Sequence, residues 1–180
     1  MKSVLLLAIL LLSATTATAL ADTVMVSVDI EPAGTIDTAT DRMPSAATGD
    51  ATTLAKAADT LREALEQGIM DQFFNAGHII FNGPSAASTD IHSVSLRQQS
   101  ARLGGASRLI LVELAYRADP ALKKALPISA RYSLWRLDTR QIVESGTVNA
   151  DSLVHATKID ENQLSLLMGQ TIATVLLNRW

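Results

Sequence analysis

The sequence predicts an α/β (α+β) domain: a mixed sheet of about five strands with helices packed mainly on one face, in the order β-α-β-α-β-β-β-α. Three observations carry this expectation. Thr23 to Glu31, TVMVSVDIE, alternates strictly, with Val24, Val26, Val28 and Ile30 on one face and Met25, Ser27 and Asp29 on the other. Leu54, Ala58, Leu61, Leu65, Ile69 and Phe73 recur at steps of three and four, which is one helical stripe. Arg108 to Tyr116, RLILVELAY, repeats the strand pattern and reads as central. Strands joined through helices pair in parallel, whereas strands joined by a short turn pair antiparallel, so the sheet is mixed.

The chain opens with MKSVLLLAILLLSATTATALA, residues 1–21 of 180. One cation, Lys2, precedes the apolar run Val4 to Leu12, which is shorter than the ~20 residues a spanning helix needs. Two A-x-A frames follow, Ala17 to Ala19 and Ala19 to Ala21, and the second is favoured. The expectation is a cleavable signal peptide over 1–21, a mature chain from Asp22, and a periplasmic or secreted location. With no cysteine, neither a disulfide nor an N-terminal cysteine lipid anchor is expected. Residues 22–180 fit a single domain, since one domain typically spans ~100 to 200 residues. The formal net charge of −3 argues against a general nucleic-acid partner. No later segment is apolar enough for stable membrane insertion of the mature chain.

Glu31 leads into PAGTIDTATDRMPSAATGDAT, which has neither period, so residues 32–51 are expected to form a long loop, either a functional flap or disordered. The helical stripe follows, with Gly77 where a left-handed C-terminal cap is wanted. HIIF at 78–81 reads as a short buried strand, and a weakly amphipathic helix spans Ile91 to Leu103, stopped by Gly104-Gly105. After the central strand, Asp119-Pro120 suits a helical turn through Lys123 and Lys124. Ile128 to Leu137 and Gln141 to Val148 form a hairpin around Asp138-Thr139-Arg140. Glu161 to Trp180 ends the chain as a docked helix, for which Trp180 is an anchor.

No reactive constellation stands out. His78, His92 and His155 are mutually unrelated in spacing, no H-E-x-x-H occurs, and the usual zinc patterns need cysteines the chain lacks. Nor is there a G-x-S-x-G elbow, an S-x-x-K pair or a phosphate loop. No catalytic residue, metal site or cofactor is therefore assigned. The candidate partner-binding surface is Glu113, Arg131, Ser133 and Trp135, because Arg131, Ser133 and Trp135 share a strand face and Trp and Arg are the types enriched at hot spots. The competing reading has Trp135 packed under a helix and Arg131 paired with Glu113 across strands. Lys123-Lys124 is a second candidate, for an anionic surface.

The element order, with Gly105-Ala106 before the strand Arg108 to Leu114 and the hairpin phrase Arg136 to Val148, resembles the small α/β envelope domain of TolB (amino-terminal part), LpoB, CsgG and related flagellar envelope proteins. The resemblance implies a non-enzymatic envelope module that binds a protein or assembles with copies of itself, and it carries over no catalytic residue. The chain is expected to depart from those proteins, with no lipid-bearing cysteine as in LpoB or CsgG, no following propeller as in TolB and no counterpart of suitable length to the membrane-spanning hairpins of CsgG. The leading expectation is thus an exported envelope accessory protein that binds a protein partner or self-associates. Its rival is an exported hydrolase or small-ligand-binding protein with a cleft beside residues 32–51.

Overall fold

In the computed structural model, the described residues are 22–33, 48–83, 91–119, 121–154 and 159–180. Residues 1–21, where a signal peptide is expected, residues 34–47 and His155 lie outside them. Five strands are present: β1 (Thr23–Pro32), β2 (Ile79–Asn82), β3 (Arg108–Asp119), β4 (Lys124–Arg136) and β5 (Gln141–Asn149). Three α-helices accompany them: α1 (Thr48–Asn75), α2 (Ile91–Leu103) and α3 (Glu161–Leu177), with a short 3-10 turn at Ala150–Ser152. The sheet order is β2-β1-β3-β4-β5. β1 runs parallel to both β2 and β3, and β3-β4-β5 is an antiparallel meander.

The alternation in β1 decides how the layers form. Val24, Val26 and Val28 enter the main core with Ile110, Val112, Leu114, Ala130 and Leu134, under α1 and α3. The opposite face buries Met25, Leu109 and Leu111 in a smaller cluster with Ala101 of α2 and Leu137. Two helices therefore cover one face, and the third sits on the other.

Small residues let α1 and α3 approach closely. A Cβ on Gly68 would run into the carbonyl oxygen of Leu166, and one on Gly169 into that of Leu65. The Ser165 hydroxyl, in the same seam, donates to the Leu61 carbonyl at 2.7 Å. Asp160 starts α3 with a capping box, its carboxylate accepting from the Gln163 backbone N–H while the Gln163 side chain accepts from the Asp160 N–H. α1 and α2 end alike. Gly77 (φ 86°) and Gly105 (φ 77°) take the left-handed position, and His78 and Ala106 donate back to Phe73 and Ala101 as in a Schellman motif.

At the C-terminus, Trp180 makes an edge-on contact with Phe73 (5.0 Å between centroids), lies 4.7 Å from the His78 ring, and is capped by the Arg108 guanidinium at 4.0 Å. The anchor expected of Trp180 is present, although the helix itself stops at Leu177.

Three expectations need correction. The strand at 78–81 is not buried: in β2, Ile79 is 58% exposed and Ile80 and Phe81 are only partly covered. Pro32 belongs to β1 and Thr48 to Ala51 belong to α1, so both ends of the stretch read as a loop are ordered elements. Between Asp119, where β3 ends, and Lys124, where β4 starts, the described residues 121–123 form a turn rather than the expected helical turn. The Asp119 carboxylate does accept a backbone N–H, from Leu122, but Lys123 at φ 52° turns the chain back into a strand. Pro127 sits inside β4 beside a register shift at Ala115/Tyr116, where a missing N–H is tolerated.

Candidate functional site

The register places the residues of the open face in rows across the sheet. Asp29 of β1, Glu113 of β3, Arg131 of β4 and Thr147 of β5 form one row. Ser27, Leu111, Ser133 and Ser145 form the next, and Met25, Leu109, Trp135 and Ile142 the third. The third row depends on a bulge. Leu134 pairs with Glu144 but Trp135 pairs with Ile142, so Val143 is the extra residue, and Ile142 reaches the same face as Ser145.

α2 covers only the β1 side of this face, and a charged contact fixes it there. Arg97 places Nη1 2.5 Å from Oδ2 of Asp29, with both side chains almost wholly buried. Val94 and Ala101 add the apolar contacts, whereas Leu96 and Leu103 remain 64% and 83% exposed. Because α2 stops short of β4 and β5, a concavity of about 390 Å³ remains, lined by Asp29, Arg97, Glu113, Arg131, Ser133, Trp135 and neighbours on β5.

All four residues of the predicted surface line this concavity. Arg131 donates to Glu113 at 3.2 Å across β3 and β4, at a largely exposed position, so the pair offers both charges to solvent. Trp135 donates its indole N–H to Ser133 Oγ at 3.0 Å and packs partly against the smaller core cluster. Tyr132 underlies the site from the other side of the sheet. Its ring occupies the space a Cβ at Gly146 would need, and burial first, then the Glu144 carboxylate, raises its pKa.

The other sequence candidates lie elsewhere. His78 packs between Phe73 and Trp180, with its buried Nδ1 lacking a hydrogen-bond partner, rather than beside a hydroxyl or carboxylate. Lys124 binds Glu161 at 2.8 Å, which raises the lysine pKa and lowers that of the glutamate. Among the described residues no metal-holding group of three or more His, Asp or Glu gathers, and no helix is long and apolar enough to cross a membrane. The His92 and His155 side chains lie outside the described residues, as do residues 34–47, most of the stretch 32–51 beside which the rival reading expects a cleft.

One cluster was missed. Arg102, Arg108, Arg136 and Arg140 line a second concavity of about 500 Å³ with Asp22 and Asp138. The residues come from α2, β3, β4 and the β4-β5 turn, so only the register brings them together.

The fold is a three-layer α/β domain in which one sheet face is fully covered and the other half covered. No protein-family model matches the chain, and no curated protein matches it. Among solved structures, it is similar to the PelC dodecamer from Paraburkholderia phytofirmans, with 15% identity, 88% of this chain and 87% of that chain covered, and a TM-score of 0.43. It is similar to lipoprotein GNA1162 from Neisseria meningitidis at 10% identity, covering 87% and 99%, with a TM-score of 0.43. The LpoB C-terminal domain from Salmonella enterica matches at 17% identity, covering 77% and 87%, with a TM-score of 0.33. The resemblance to LpoB read from the sequence thus recurs as a weak structural likeness. These are distant similarities of fold, and the functional reading rests on this chain's own residues.

Proposed function

We propose that this is an exported, non-enzymatic envelope accessory protein that docks a protein partner on the half-covered face of its sheet. The observation that carries the reading is the placement of Glu113, Arg131, Ser133 and Trp135 in one concavity that α2 leaves open. Its chemistry suits protein recognition: an indole and Ile142 supply apolar area, an exposed ion pair supplies direction, and Ser133, Ser145 and Thr147 supply hydroxyls. The apolar leader read over residues 1–21 supports export to a periplasmic or secreted location, and the lack of cysteine speaks against attachment through a cysteine-linked lipid.

Affinity purification of the exported protein from envelope fractions tests the reading, with Arg131→Glu as the matched control. Arg131 is 76% exposed, so reversing its charge leaves the fold intact while placing like charges at the centre of the site. A reproducible protein partner retained by the unmodified chain and lost with Arg131→Glu supports the proposal. Recovery of the monomer alone, or equal retention by both, opposes it.

A further inference from the structure

The arginine-lined concavity lies at the opposite end of the strands from the first row of the docking face. Its wall is built from Asp22 before β1, Ser107 and Arg108 at the start of β3, Arg136 to Arg140 at the end of β4 and in its turn, and Arg102 at the end of α2. Hydrogen bonds hold this wall in place. The Arg102 guanidinium donates to the Leu137 carbonyl, Leu137 N–H donates to the Ser107 carbonyl, and Arg108 Nε donates to Asp22 Oδ2 at 3.0 Å.

Three features single out the wall. Arg108 and Arg136 are directly opposite in the β3-β4 ladder, Arg108 being held by Asp22 and the Trp180 ring while Arg136 is exposed. Arg140 holds a left-handed backbone position at φ 56°, where glycine or asparagine is the usual residue. The carboxylates present are already engaged. Asp22 accepts from Ser107 and Arg108 through separate oxygens, and Asp138 accepts the Thr139 N–H. Arg136 and Arg140 are exposed and have no carboxylate partner among the described residues, so the lining holds four arginines against two aspartates. In a chain whose net charge is −3, this is a local positive excess concentrated in a concave site.

We infer that this concavity binds a phosphate-bearing ligand, with Arg136 and Arg140 as the main contacts and Arg102 and Arg108 completing the cradle. Arginines that line one concavity from α2, β3, β4 and the β4-β5 turn suit a tetrahedral, multi-oxygen anion better than a planar carboxylate, which one guanidinium fork can satisfy. A volume of about 500 Å³ exceeds what a bare ion needs and accommodates a phosphate ester or a lipid headgroup. An anion in the cradle would engage the exposed Arg136 and Arg140 guanidinium groups, which no carboxylate pairs with among the described residues, and a local preference set aside at Arg140 is in keeping with a binding site.

Calorimetric titration of the exported protein with glycerol 3-phosphate and with inorganic phosphate, at ionic strength matched with chloride, is the test. Co-sedimentation with phosphatidylglycerol-containing vesicles, against phosphatidylcholine alone, forms the second arm. The expected result is saturable binding of a phosphate probe, weakened about tenfold or more in an R136Q/R140Q variant, since each charge-assisted bond contributes roughly that factor. Both positions are exposed, and the variant should unfold at the same or higher denaturant concentration, which separates lost binding from lost folding. Binding in solution assigns a free phosphate ester, and binding to vesicles alone assigns a headgroup. The inference is overturned if no phosphate probe binds beyond the chloride control, or if R136Q/R140Q binds as the unmodified protein does.

Discussion

Arg97 and Asp29 join α2 to β1 through a 2.5 Å ion pair, with both side chains nearly inaccessible to solvent. α2 has little apolar surface with which to hold itself, since Leu96 and Leu103 point outward. The pair therefore sets where the helix lies and how much of the sheet face stays open. Removing one partner strands a buried charge, so Arg97→Met should cost about 3–5 kcal/mol in urea unfolding. The double variant Asp29→Leu with Arg97→Met should recover most of that loss, as buried pairs replaced by apolar residues often are neutral. Equal losses in the single and double variants would show that α2 is held by something else.

The close approach of α1 and α3 yields a second expectation. Gly169→Ala sets a methyl group against the Leu65 carbonyl, and the helices must separate to admit it. Overpacking of this kind costs about 1–3 kcal/mol, and a backbone obstacle places it at the upper end. Ser165→Ala, which removes a bond to the Leu61 carbonyl without adding volume, should cost about 0.5–1.5 kcal/mol. Chemical denaturation of both variants checks the ranking.

Glu66 supplies the pH dependence. Its carboxylate accepts from Arg62 at 2.9 Å and from Asn82 at 3.3 Å, yet burial outweighs Arg62 and raises its pKa above the ordinary 4.5. A carboxyl raised in the folded state binds its proton more tightly there than in the unfolded chain. Its contribution to stability is therefore fully present below pH 4.5 and is lost as pH rises through the folded-state pKa. Glu66→Gln should flatten the stability profile across that interval. An unchanged slope would contradict the assignment.

Much of this architecture is legible in the chain because each element carries its own period. Val24 to Ile30 and Arg108 to Tyr116 alternate, Leu54 to Phe73 repeats helically, and Gly77 and Gly105 mark both helix ends. That Glu113, Arg131, Ser133 and Trp135 share one face of the sheet is legible for the same reason, since strand parity alone assigns a face. Asp119 to Lys124 misleads because an Asp-Pro pair suits a helix start and a turn equally well, and the length of the flanking strands decides between them. The Arg102, Arg108, Arg136 and Arg140 cluster leaves no local pattern, because its members are spread over four segments that only pairing register unites. Arg97 is hidden differently: an arginine on a weak helix reads as solvated until Asp29 is seen beneath it.

The central claim is that the partner meets the half-covered sheet face. The most direct measurement is site-specific photo-crosslinking in cells, with the reactive residue placed at Thr147 on that face or at Thr174, exposed on α3 on the opposite side. The account predicts a discrete protein adduct from Thr147 that disappears with Arg131→Glu, and none from Thr174. Adducts from Thr174 alone, or a Thr147 adduct indifferent to Arg131→Glu, would contradict it.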